Sequence, residues 1–191
     1  MLYSRTIHIN DETMTQQLIV TILGTDKFGM LSAIAETVCE VGCNILDSRQ
    51  AVFGQDFSLT MIIEGSQAAI AKAEFAIPQT CQKRELLCLL KRTKRHSKQN
   101  LEHIADVVIL GENANGVIKK ITGFFAQFAI SVSAFRLKTL KNPNELINAL
   151  DHMKCKMVVS IPHTVPVEEI EVAFQALMLE LKLQGSIKQN H

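Results

Sequence analysis

The chain is 191 residues long, enough for one large domain or two of about 90 residues each. With 47% hydrophobic and 20% charged residues it is not a disordered chain. Its net charge of +1 excludes a protein whose main task is to neutralise many phosphates. Trp is absent and Tyr occurs once, so a core must be built mainly from Ile, Leu, Val, Ala and Met. Residues 1–11 hold no apolar run of signal-peptide length, and no segment approaches about 18 consecutive apolar residues. A cytoplasmic protein without membrane contact is the expectation. The five cysteines are odd in number and lie in apolar segments, as reduced core thiols do. Cys39 and Cys43, four apart, have no His near enough in sequence to complete a metal set. No metal or other cofactor is expected.

In chain order, residues 18–23 form an apolar, β-branched-rich run of strand length. Gly24 to Gly29 interrupts it. Leu31, Ile34, Ala35 and Val38 then predict an amphipathic helix over 30–41, with Gly42 as its stop. Residues 44–53 and 56–64 read as hairpin strands about the tight turn Gly54-Gln55. Ser66 is placed to cap a helix over about 67–76 that Pro78 closes, and a fourth strand follows at 86–90. Residues 91–100 contain no hydrophobic side chain and several cations, and read as a linker. A nucleic-acid patch is the sharper reading of those cations. Such readers add aromatic platforms or a recognition helix, and neither is present. The pattern then repeats: strand 105–110, helix 117–128, strands 130–140 and 154–161, a helix from about 167 to 183, and a tail strand after Gly185. The polar stretch 141–151, with Asn142-Pro143-Asn144 as turn chemistry, separates the second pair of hairpin strands.

One ungapped shift relates the halves. Ile22-Leu23-Gly24 recurs as Ile109-Leu110-Gly111, 87 positions on (22 to 109), and the same shift carries Asp26 to Asn113, Gly29 to Gly116, Ile34 to Ile121 and Arg49 to Arg136. Two homologous modules follow, over 14–92 and 102–189, with a basic linker at 93–101. The order βαββαβ folds as an α+β, ferredoxin-like module, a four-stranded antiparallel sheet with two helices on one face. The other face needs cover or solvent, and pairing of tandem copies or a homodimer would supply cover.

The segment Gly24-Thr25-Asp26-Lys27-Phe28-Gly29-Met30-Leu31 leads from a central strand into a helix. Such a corner presents unpaired backbone N–H groups near the positive end of the helix dipole, which suits a small carboxylate. Asp26 is near enough to meet an ammonium group, so an α-amino acid fits both ends. The plainer reading is that Asp26 caps the helix and Gly29 allows a turn. The loop lacks the Lys-Ser/Thr of a phosphate loop and the dinucleotide glycine pattern.

Residues 18–64 resemble an ACT domain, whose first loop commonly reads Asp-x-Pro-Gly. Three segments are similar to the glycine cleavage system transcriptional repressor family. They are Gly24 to Gly29, Gly42-Cys43-Asn44-Ile45-Leu46-Asp47-Ser48-Arg49, and Ala173-Phe174-Gln175-Ala176-Leu177 with Gln184-Gly185-Ser186-Ile187. The resemblance spans nearly the whole chain. It implies two ACT modules that bind no DNA and act on a DNA-bound LysR-type transcriptional activator of the glycine cleavage operon, with glycine releasing repression. Carried over residue by residue, the ligand candidates are Asp26, Gly29, Met30 and Leu31, with Asn44 from the following strand. Phe28 stands where the family pattern has Pro; its ring either narrows the pocket for a very small ligand or packs inward. In the second module Asn113, Gly116 and Val117 are the counterparts, without the Asp or the Pro.

The six histidines fall in expected termini, linkers and loops, and no hydrolase or metalloprotease motif is present, so no catalytic residues are assigned. Arg49 and Arg136 hold equivalent strand positions, either as outward cations for a partner or a carboxylate, or in ion pairs on the sheet. The alternative to a transcriptional regulator is a regulatory subunit of an amino-acid biosynthetic enzyme.

Overall fold

The computed structural model describes residues 15–94, 103–141 and 151–189. The chain divides into two compact units, Met1–Ser97 and Lys98–His191, each with its own core. The first holds β1 (Gln16–Thr25), α1 (Met30–Glu40), β2 (Asn44–Phe53), β3 (Asp56–Gly65), α2 (Gln67–Gln82) and β4 (Leu87–Thr93). The second holds β5 (His103–Glu112), α3 (Val117–Gln127), β6 (Ser131–Leu140), β7 (His152–Ile161), α4 (Val167–Leu181) and β8 (Gln184–Gln189). Each unit is one antiparallel sheet, ordered β2-β3-β1-β4 and β6-β7-β5-β8. This is the tandem βαββαβ architecture.

Strand alternation decides which face is covered. Leu18, Val20 and Ile22 of β1 are fully buried and share a core with Ile34 and Val38 of α1 and Ile70 of α2. Each such side chain contributes about 1.5–3 kcal/mol of burial. In the second unit Ala105, Val107 and Ile109 pack with Ile121 and Phe125 of α3 and Phe174 of α4. Both helices of a unit therefore cover one sheet face, and the other face is open. The shift of 87 holds to the residue from β1/β5 through β2/β6, including a bulge in the pairing at Ile45/Asp47 and again at Val132/Ala134. The Gly24/Gly111 repeat marks a close approach: a Cβ on Gly24 would lie 2.5 Å from Leu86 Cδ2, and one on Gly111 would collide with Leu183.

Several strands run a residue or two beyond the sequence expectation, as β1 and β5 do, and two boundary differences have a clear physical cause. Pro78 does not close α2, which runs on to Gln82. An interior proline costs a helix about 3 kcal/mol. Here Ile77 and Cys81, both fully buried on either side of it, hold the last turn to the core. The linker also starts later than its composition suggests, because Lys91, Arg92 and Thr93 extend β4 opposite Ile19, Leu18 and Gln17. Arg92 is held there by a bidentate pair with Glu74 of α2 (Nε–Oε1 and Nη2–Oε2, both 2.7 Å) and a 3.2 Å bond to Gln16. The remaining linker residues 95–101 and the turn residues 142–150 lie outside the described residues.

Candidate functional site

The corner between β1 and α1 is built by one glycine. Gly29 is the residue before the helix, at φ 79° and ψ 6°, a left-handed conformation that favours glycine. Its carbonyl accepts from the Ala33 amide at 2.9 Å, starting the helix. Met30 donates to the Lys27 carbonyl at 3.3 Å, while the amides of Leu31 and Ser32 have no backbone partner among the described residues. No side chain caps the helix. The plainer reading of Asp26 as a cap therefore does not hold. Its amide is tied to the Gln55 carbonyl at 2.8 Å, and its carboxylate is exposed.

A groove of about 330 Å³ joins Asp26, Phe28, Gly29, Met30 and Leu31 with Ser32 and Gln50. Met30 is buried and supplies its floor; Leu31 is half exposed. The Phe28 ring is fully exposed, so of the two arrangements open from sequence, inward packing is not the one adopted. Lys27 also lines the groove, and its ammonium lies 3.5 Å from the Glu85 carboxylate.

Asn44 is not part of this groove. The antiparallel register sets it opposite Glu64, and Glu64 opposite Gln17, at the end of the sheet remote from Asp26. The β2 residue that does line the groove is Gln50, whose partner across the sheet, Leu59, points into the core on the helix side. Period-two alternation and register from the Gly54 turn could have found it.

The second corner keeps the backbone and changes the chemistry. Gly116 repeats the left-handed turn at φ 84°, and Val117 donates to Ala114 at 3.3 Å. The Asn113 side-chain amide, however, donates to Thr139 Oγ1 at 3.0 Å, so the position equivalent to Asp26 is occupied with its own module. The hollow beside this loop, about 580 Å³, is lined by Gly111, Glu112, Ala114, His152, Lys182 and others, and includes none of Asn113, Gly116 and Val117.

The cysteines are free, and α1 ends between Cys39, which is exposed, and Cys43, which is buried, so the two do not share a helix face. Burial pushes the Cys43 thiol above its ordinary value. His103 and His152 lie in strands, and His103 and His163, sixty residues apart, meet edge to face with nitrogens 3.4 Å apart. Sequence spacing gave no sign of that contact. No helix among the described residues is long and apolar enough to cross a membrane.

Comparison with known proteins agrees with this architecture. Residues 16–90 match the ACT domain family. The chain is 31% identical over 170 residues to the glycine cleavage system transcriptional repressors of Escherichia coli K12 and of Shigella flexneri, covering 89% of this chain and 88% of each relative. A crystal structure of a candidate glycine cleavage system transcriptional repressor superposes with a TM-score of 0.73 at 30% identity, over 93% of this chain and 98% of that one. A crystal structure of an unknown protein from Galdieria sulphuraria shares the fold, with a TM-score of 0.73 at 16% identity over 93% of this chain and 99% of that one. Sequence, repeat and fold thus agree, and the chain belongs to the glycine cleavage system transcriptional repressor family of tandem ACT-domain regulators.

Proposed function

We propose that this chain senses a small amino acid, glycine, and represses the glycine cleavage system by contacting a LysR-type activator, without binding DNA and without catalysing a reaction. The observation that carries the ligand reading is the groove in which the Asp26 carboxylate stands beside the uncapped first turn of α1. An α-amino acid places its carboxylate at the amides of Leu31 and Ser32, where the helix dipole favours negative charge, and its ammonium at Asp26. Phe28 borders the groove and is positioned to fold over a ligand without a side chain. The second module, with its Asn113 amide engaged by Thr139, holds the amino acid less well.

Glycine has five heavy atoms, and a ceiling of about 1.5 kcal/mol per atom gives roughly −7.5 kcal/mol, micromolar at best. Real affinity is weaker, which suits a metabolite sensed at high concentration. Such a ligand shifts the complex with the activator only by its differential affinity for free and bound chain.

The test is calorimetric titration with glycine of the wild type and of Asp26→Ala. Binding that weakens at least tenfold in a folded variant supports the site; equal affinity removes Asp26 from it. Co-precipitation with the LysR-type activator, with and without glycine, tests the partner. No association in either condition refutes the proposed mechanism.

A further inference from the structure

The duplication supplies an internal comparison for the open sheet faces. On the second sheet Arg136 stands directly opposite Lys156, and Lys138 directly opposite Lys154, so four cations form a block on β6 and β7. All four are exposed, and none makes an ion pair or side-chain hydrogen bond among the described residues. Like charges directly opposite one another destabilise a sheet. The first module has Arg49 opposite Thr60 and Ala51 opposite Ser58 at the same positions. The fold therefore does not require the block; the second module alone carries it.

The surface is also shaped. A hollow of about 340 Å³ lined by Asp106, Val108, Ala134, Arg136, Lys156 and Val158 adjoins another of about 320 Å³ that includes Lys138, Leu140 and Lys154. Arg136 and Lys156 line both, so the two make one groove beside a strip of aliphatic side chains. We infer that this groove docks an acidic amphipathic helix of a partner protein, with its carboxylates on the cationic block and its apolar stripe on Val108, Ala134 and Val158.

The dimensions fit. Alternate residues on a strand lie about 7 Å apart, and residues i and i+4 of a helix are separated by about 6 Å along its axis. Successive carboxylates on one helix face thus meet successive cations. Single-stranded nucleic acid is the other polyanion to weigh, and it binds through aromatic stacking platforms. Phe135, which also lines the first hollow, stands opposite the buried Met157 and so belongs to the helix-covered side of the sheet, leaving aliphatic side chains on the open face. The inference goes beyond the amino-acid reading and does not depend on it.

The test uses the full chain and the double variant K154E/K156E, which converts both like-charge pairs into opposite-charge pairs. The probe is a fluorescent helical peptide with Glu on one face and Leu on the other; the competitor is an oligonucleotide of equal charge. The wild type should bind the peptide with an affinity that falls as salt rises. K154E/K156E should lose at least tenfold, with unchanged glycine binding and a melting temperature equal to or above that of the wild type. Asp26→Ala should keep full peptide affinity, which separates a failure here from a failure of the ligand site. Absence of peptide binding, or binding that survives the charge reversal, overturns the inference. So does tighter binding of the oligonucleotide, or a wild-type dimer that K154E/K156E dissociates.

Discussion

Replacing Gly29 by alanine isolates the part the backbone plays at the β1–α1 corner. Gly29 has φ 79°, and a Cβ built on it meets no heavy atom within 4 Å, so the cost of the substitution is conformational. Holding an L-residue in the left-handed region costs about 1–2 kcal/mol. Alanine also narrows the unfolded ensemble, which offsets about 0.4–1 kcal/mol. A net loss of about 1 kcal/mol remains, equivalent to a fall of about 4–8 °C in the Tm of a module this size. Gly116→Ala, at φ 84° and equally open, should cost the second module the same. Gly123 is the control: it lies within α3, its Cβ space is empty, and alanine there should stabilise by about 0.5–1 kcal/mol. Scanning calorimetry of the full chain reads all three. Glycine titration adds the functional arm, in which Gly29→Ala weakens binding and Gly116→Ala leaves it unchanged. Equal stability of Gly29→Ala and wild type, or a loss in Gly123→Ala matching that in Gly29→Ala, would refute reasoning from backbone conformation.

Phe174 of α4 is fully buried against the rings of Phe124 and Phe125 of α3, with centroids 6.0 and 6.2 Å away. Phe174→Ala should destabilise the second core by about 3–5 kcal/mol, and hydrogen exchange should show protection lost there while the first core keeps it. The hydrogen bonds from Arg92 hold the Glu74 carboxyl below its ordinary value of 4.5, with slight burial opposing. A depressed carboxylate stabilises above its unfolded value and loses that contribution as pH falls through the folded one. The Tm advantage of wild type over Glu74→Gln at neutral pH should therefore close below pH 4.5, and shrink in high salt because the pair is partly exposed. A gap that persists at pH 3 would assign the difference to packing.

Much of the fold was legible because its signals are periodic. The alternation of Leu18, Val20 and Ile22, the helical spacing of Ile34 and Val38, and a single shift of 87 positions (22 to 109) need no long-range knowledge. The corner from Asp26 to Leu31 was legible for the same reason, since a glycine between a strand and a helix has a local meaning. Asn44, carried over from the family resemblance, lies off the groove, because a motif match does not say which end of a strand meets the loop. Only the register, Asn44 to Glu64 to Gln17, decides that. Pro78 misled because its cost is local and visible, whereas the burial of Ile77 and Cys81 that outweighs it depends on the sheet beneath.

By itself the amino-acid order determined the element sequence and the corner at Gly29, which follow from neighbours within a few residues, and the duplication, which follows from comparing the chain with itself at one offset. Tertiary structure alone decided that Gln50 and not Asn44 reaches the groove, that Asn113 is taken by Thr139, and that Arg136, Lys138, Lys154 and Lys156 share one open face. Those outcomes hinge on strand pairing, which joins residues distant in sequence.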